Sequence, residues 1–298
     1  MAKLSNSAQA IVDSVMEAIR NGTASWMKSW KATKTVAHCN YCTSHEYSGV
    51  NAIMTNLVAS AKGYQDRRWL TFKQAKEQGL SVRKGEKGTP ILFFSFVEKE
   101  VTKEDGSKEI DRFPAHKVYY LFNVEQVDGT VKPDNRLDGY QSDEDLAIPA
   151  WKQAEVAEQV LSSSQAKIIH KNQDKAFYSP TTDSIYLPLK GQFASASGYY
   201  NTALHELAHW TGHESRLNRF KSGTEEYAKE ELRAEIASWM LAESLGVDFE
   251  PQNSQAYVAS WLKVLEDTPR ELFKAASDAE KIKAYLINLS VAENKKAA

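Results

Sequence analysis

His205-Glu206-Leu207-Ala208-His209, an HExxH sequence, decides how the second half of this chain reads. It lies inside a helical pattern running from about 199 to 211. Residues i and i+4 of a helix sit one turn apart on one face, so both imidazoles can reach a single Zn²⁺. Glu206, beside the first of them, is then placed as general base toward a water held at the ion. A third ligand must complete the set. The extended pattern HExxHxxGxxH would put a His at position 215; Gly212 is present, but 215 is Ser and His213 arrives two residues early. The other common solution draws a Glu from the next helix. Residues 227–237 (YAKEELRAEIA) offer Glu231 and Glu235 on one face. Glu235 is the preferred ligand and Glu231 the second choice, because Glu235 leads into the small and apolar run 236–241 (IASWML), and a buried carboxylate needs a partner. The expected set is His205, His209 and Glu235 around one divalent ion, Zn²⁺ by default, with Mn²⁺ or Co²⁺ also suited to such sites. Tyr227 and His213 are candidates to steady an oxyanion.

Outward from the motif, the pattern predicts short strands at 167–170, 176–179 and 184–187, the last two joined by a Pro-Thr-Thr-Asp turn. The strand at 184–187 is the candidate cleft edge for pairing with extended substrate. Helices follow at about 199–211, 224–245, 254–266 and 270–289, and 291–298 reads as a disordered tail. A further helix is expected over 151–161. Residues 133–149, rich in Pro, Asp and Gly, read as a linker.

The first 132 residues have a different pattern. An amphipathic helix begins near Ser5 or Ser7, with Ala8, Ile11, Val12, Val15 and Ile19 on one face and Gly22 at its end. A second helix spans about 51–61 and ends near Gly63, and Thr71 caps a short third helix ending near Glu77. A Gly-punctuated loop leads into the apolar run 91–97, and Asp105-Gly106 reads as the turn of a hairpin whose return strand is 117–124. The expectation is an α+β chain: an α+β domain over 1–132, and a mainly helical domain with a small antiparallel sheet over 150–290.

Composition sets the outer limits. The chain has 298 residues, 42% hydrophobic and 26% charged, enough for two ordinary cores. It has no apolar run of membrane-spanning length and no secretory signal pattern, and its two cysteines cannot form a disulfide framework, so a soluble cytoplasmic protein is expected. The net charge of −2 is unevenly spread. Residues 1–90 carry 13 Lys/Arg against 6 Asp/Glu, whereas 134–298 carry 18 against 25, which points to a polyanion partner for the first part.

Several stretches together resemble the ArdC antirestriction family. Residues 47–53 (YSGVNAI), 68–75 (RWLTFKQA), 79–88 (GLSVRKGEKG) and 122–126 (FNVEQ) are similar to the N-terminal domain shared by ArdC proteins and TraC plasmid primases. Residues 184–188, 205–212 with Arg216-Leu217, and 230–236 resemble the zincin-like domain paired with it in ArdC. The resemblance implies a protein of conjugative plasmids that binds single-stranded DNA through its first domain and shields incoming DNA from host restriction. It also implies a metallopeptidase-like second domain, without implying that proteolysis is retained. One departure is the stretch 38–45 (HCNYCTSH), where relatives have a polar loop without cysteines; it reads as a surface loop, with a zinc knuckle as the sharper alternative.

Binding single strands requires a positive groove and aromatic faces. The candidates are Tyr47 and Trp69 for bases and Arg67, Arg68, Lys73, Arg83, Lys84 and Lys87 for phosphates, with Lys28, Trp30, Lys31, Lys34 and Phe72 nearby. Gly85 and Gly88 would admit phosphates close to the backbone. Trp26, Ile53, Leu57 and the Phe93–Phe96 run read as core. Two functional readings follow. In the first, a basic domain coats DNA and a metal-bearing domain hydrolyses or docks a host restriction or defence protein. In the alternative, an active zinc endopeptidase cleaves a host defence or replication protein, and DNA is only a tether. A binding protein in which the metal merely braces helices is less consistent with Glu206, since a purely structural site needs no carboxylate there.

Overall fold

The computed structural model describes residues 4–22, 37–102, 108–137, 150–221, 223–249 and 255–297. Trp26, Lys28, Trp30, Lys31, Lys34 and the expected turn at Asp105-Gly106 lie outside them. The chain divides into two units, one comprising Met1–Asp13 and His38–Lys132, the other Ser14–Ala37 and Pro133–Ala298. The first helix, α1 (Asn6–Arg20), is therefore shared between the units rather than belonging wholly to the first.

The first unit is organised by β2 (Arg68–Thr71), a short strand with neighbours on both sides. Its sheet runs β1 (Cys39–Asn40), β2, β5 (Lys108–Asn123), β4 (Thr89–Thr102), with β1 parallel to β2 and the other pairs antiparallel. Alternation along a strand sends successive side chains to opposite faces. Trp69 therefore joins Ala59, Ile91 and Leu121 under helix α2 (Val50–Lys62), while Leu70 joins Ala75, Leu80, Val124 and Val127 on the other face. The second cluster lies beneath α3 (Phe72–Glu77) and the small ribbon of β3 (Ser81–Val82) with β6 (Val127–Asp128). Thr71 and Gln74 form a capping box at the start of α3, and Gly63 closes α2 in the left-handed region. The outer edge of β4 is paired by a side chain: the Asn51 amide donates to the Leu92 carbonyl at 2.7 Å and its oxygen accepts from the Leu92 N–H at 2.8 Å.

In the second unit, α4 (Ala150–Ser163) precedes a three-stranded sheet of order β7 (Lys167–Lys171), β9 (Ser184–Pro188), β8 (Phe177–Ser179). Then follow α5 (Ala196–Trp210), α6 (Thr224–Leu245), α7 (Gln255–Asp267) and α8 (Glu271–Ala297). Two expectations are corrected. β9 is the middle strand, parallel to β7 and antiparallel to β8, so the free edge belongs to β8. The supposed tail from 291 continues α8 as helix to Ala297. Every residue of α6 from 229 to 242 is buried, since the helix packs against α5, α7 and α8. Of the expected linker, residues 133–137 are described: Arg136 clasps Asp134 at 2.6 Å and donates to the Ala37 carbonyl at 2.7 Å. Among the described residues no helix is long and apolar enough to cross a membrane.

Because Trp69 is fully enclosed, with its Nε1 donating to His38 Nδ1 at 2.8 Å, Trp69→Ala should destabilise the first unit by about 3–5 kcal/mol in chemical denaturation. A change below about 1 kcal/mol would mean that the ring is not a core element.

Candidate functional site

Helix α5 carries HExxH through its last two turns. Ser195 caps its start by accepting from the Gly198 N–H, and the chain then folds back on the helix end, with Leu217 N–H bonded to Thr211 O and Arg219 N–H to Gly212 O, both at 2.9 Å. Gly212 is required by space: a Cβ there would lie 2.9 Å from Phe220 Cζ and 3.0 Å from His209 O. This return brings Arg219 over the helix terminus, where it donates to Ala208 O at 2.9 Å and Thr211 Oγ1 at 2.8 Å.

The two imidazoles point their Nε2 atoms at each other, 3.2 Å apart. Facing both is Glu231 of α6, with Oε2 3.5 Å from His205 Nε2 and Oε1 3.5 Å from His209 Nε2. Glu235 is placed elsewhere: its Oε2 lies 3.2 Å from His205 Nδ1, the ring nitrogen pointing away from the pair. The structure thus brings Glu231, and not the preferred Glu235, together with the two histidines. Burial could not separate them, because α6 is buried at both positions. The separation is one helical turn, about 6 Å along the axis, which sets Glu231 level with the Nε2 atoms and Glu235 level with the outer nitrogen.

Glu230, which the sequence reading did not single out, sits 3.6 Å from His209 Nδ1 and forms a buried ion pair with Arg219 at 2.7 Å. Each ring therefore has one carboxylate on its outer side. For both histidines burial is the largest single influence and opposes charging. Even so, Glu231, Glu235 and Glu206 hold His205 well above its ordinary value, and Glu230 and Glu231 raise His209 to about 9. Burial pushes Glu231 up, but the two imidazoles outweigh it and leave the carboxyl well below the usual range.

This arrangement fits a divalent ion. A tetrahedral site with bonds of about 2.1 Å has ligand–ligand edges of about 3.4 Å, close to the 3.2 Å between the two nitrogens and the 3.5 Å from each nitrogen to its own oxygen of Glu231; one atom from each of the three residues lies within 4.8 Å of the others. Two imidazole nitrogens and one carboxylate leave a fourth position, and all three residues line a cleft of about 380 Å³ together with Glu206. Among the described residues this is the one cluster with metal-binding spacing. The cleft wall includes Phe177 and Tyr178 of β8, and Tyr227 and Tyr257. Burial and then the Glu231 carboxylate keep the Tyr227 phenol strongly protonated. His213 lies outside the cleft, bonded to Ser215 Oγ at 2.8 Å.

The expected DNA residues separate. Trp69 is core. Tyr47 is half-buried against the α2 cluster, and burial takes its hydroxyl up to about 12. Arg68 is buried, gripping Asp66 at 2.6 Å and the Lys132 carbonyl at 2.7 Å. Arg83 pairs with Glu86 at 3.2 Å and donates to the Glu125 carbonyl. Arg67 is half-buried, while Lys73, Lys84 and Lys87 are exposed. Gly88 makes room for side chains rather than phosphates, since a Cβ there would meet Tyr120 Cβ at 2.9 Å. Ile53 and Leu57 are core, but Phe93, expected inside, is exposed. In the Cys39–Cys42 stretch, Cys39 is buried and His38 serves Trp69.

Comparison with known proteins agrees with both halves. Residues 5–122 match the N-terminal domain of anti-restriction factor ArdC, and residues 155–278 match a zincin-like metallopeptidase family. The chain is similar to the antirestriction ArdC protein of plasmid R388 in its metal-free crystal structure (TM-score 0.78, 36% identity, 96% of this chain and 98% of that one). The Mn(II)-bound structure of that protein matches with TM-score 0.75 and 36% identity, over 95% and 97% of the two chains. A DNA primase TraC of Escherichia coli is 42% identical over 94% of this chain, which spans only 27% of that relative's length. An uncharacterised protein y4eC of Sinorhizobium fredii is 30% identical, over 93% of this chain and 90% of its own.

Removing the cation behind Glu230 tests the buried network. Arg219→Ala should cost the full chain about 3–5 kcal/mol in chemical denaturation, as expected when one partner of a buried ion pair is lost. A loss below about 1 kcal/mol would show Glu230 to be solvated.

Proposed function

Because the chain belongs to the ArdC antirestriction family, we infer that it protects incoming DNA of a conjugative plasmid from host restriction in the cytoplasm. Its first unit binds single-stranded DNA, and its second holds one divalent ion between His205, His209 and Glu231. The two imidazole nitrogens 3.2 Å apart, each 3.5 Å from an oxygen of Glu231, support the metal reading most directly. Two nitrogens and one carboxylate favour Zn²⁺, with Mn²⁺ and Co²⁺ able to substitute.

Metal-assisted peptide hydrolysis is the chemistry the cleft supports best. A bound ion supplies Lewis acidity and a lowered water pKa. Glu206, on the cleft wall beside His205, takes the proton from the attacking water and returns it to the leaving amine. Glu235 and Glu230 stand 3.2 and 3.6 Å from the outer nitrogens, placed to favour a proton there and so leave the inner nitrogen of each ring to the cleft. Tyr227 is the candidate to donate to a developing oxyanion. The free edge of β8 offers backbone groups to an extended peptide, such as a segment of a host restriction or defence protein. A second reading, supported by the same buried network, keeps the ion as a brace beneath a surface that docks such a protein without cutting it.

Elemental analysis of purified protein tests the ligand assignment. The wild type should carry about one divalent ion per chain, and His205→Ala and Glu231→Ala should carry almost none. Glu235→Ala should keep the ion with affinity lowered about 10–100-fold, the usual cost of losing an outer partner. Retention by Glu231→Ala with complete loss in Glu235→Ala would reverse the two roles. Glu206→Ala should fold, keep its ion and fail to protect unmodified plasmid DNA entering a restricting host. Undiminished protection would remove hydrolysis from the mechanism and leave the docking reading.

A further inference from the structure

In the first unit, exposed aromatic side chains gather on one sheet face. Phe72, the first residue of α3, is 62% exposed, and Tyr120 of β5 is 55% exposed. Phe122, half-buried, lies two residues beyond Tyr120 and so shares its face. Its ring meets Phe72 edge-on, with centroids 6.4 Å apart. Gly88 lies against both strand residues: a Cβ there would approach Tyr120 Cβ to 2.9 Å and Phe122 Cζ to 3.2 Å. The missing side chain leaves room for both side chains against the backbone just before β4.

The charges beside this row are mostly positive. Residues 72–88 carry five basic side chains against two acidic ones, Glu77 and Glu86. Glu86 is engaged by Arg83 at 3.2 Å and Gln126 at 2.8 Å; Lys73 is 86% exposed, with only a loose surface pair to Glu77 at 3.7 Å, and Lys84 and Lys87 are exposed as well. Aromatic rings bordered by exposed cations suit a ligand with flat apolar faces along an anionic backbone. A duplex keeps its base faces stacked inside, so a single strand is the form that can use both features.

We propose that Phe72, Tyr120 and Phe122 form a stacking platform for the bases of single-stranded DNA, with Lys73, Lys84 and Lys87 on its phosphates. This rests on the reading that the first unit binds single strands, and it moves the contact surface away from Trp69 and Arg68, which the fold encloses. A second aromatic pair, Phe93 and Tyr119, lies on the opposite face of the hairpin, the side that α2 covers, with centroids 5.8 Å apart.

The test uses the full-length protein and a fluorescein-labelled oligo-dT of about 20 nucleotides, a length of one or two single-strand sites. Phe72→Ala and Tyr120→Ala should each weaken binding about 5–150-fold, the range measured for loss of one stacked base. Their melting temperatures should stay near that of the wild type, because both rings are more than half exposed. Phe72→Trp should bind like the wild type. Lys84→Ala and Lys87→Ala should each lower the slope of log affinity against log salt by about 0.7. Unchanged binding by both alanine variants, or a loss confined to Phe93→Ala and Tyr119→Ala, would overturn the platform while leaving single-strand binding intact. Equal wild-type affinity for the same length of duplex would overturn it too. Failure of the wild type to bind oligo-dT at low salt would overturn both the platform and the reading beneath it.

Discussion

The second unit depends on the cost of burying carboxylates. Helix α6 places Glu230, Glu231 and Glu235 in a stretch where every residue is buried, and an uncompensated carboxylate there is worth several kcal/mol of instability. Each compensation fixes another part of the fold. Glu231 and Glu235 require the imidazoles of α5 at their heights along the helix. Glu230 requires Arg219, which requires the return of residues 211–219 over the end of α5, and that return requires a residue without a Cβ at 212. One turn further along, buried Arg233 of the same helix reverses the problem and is met by Glu271 and Asp278 of α8. The charges of α6 thus specify the placement of α5 and α8, as well as the site between them.

Much of this was legible in the sequence. The helix at 224–245, the caps at Thr71 and Gly63 and the three short strands of the second unit are set by local chemistry, so the pattern locates them closely. HExxH was legible for the same reason, because its geometry is contained within one helix. The choice between Glu231 and Glu235 was not, since both satisfy the same helical face and only the height of the neighbouring helix separates them. Glu230 and Arg219 gave no signal at all; they meet only because of a loop whose path is tertiary. Trp69 misled for a related reason. A Trp preceded by two arginines reads as an exposed platform, but β2 has strands on both sides and a core on each face. The hydrophobic run at the start of β4 misled in the opposite direction: Ile91 and Leu92 are buried, but Phe93 lies exposed beyond them.

The two rings of the site are not equivalent, and this follows from what stands behind each outer carboxylate. Glu230 shares its charge with Arg219, so it presents a weakened acceptor to His209. Glu235 has no cation behind it among the described residues, and its Oε1 is buried without a hydrogen-bond partner, so its charge is felt mainly by His205. Glu206 adds to the field at His205, while His205 itself opposes charging of His209. The ring next to the candidate base therefore has more negative charge around it than the other. Outer carboxylates raise the basicity of a ligating imidazole, so with an ion bound His205 would be the stronger donor, on the side of the cleft where Glu206 would work.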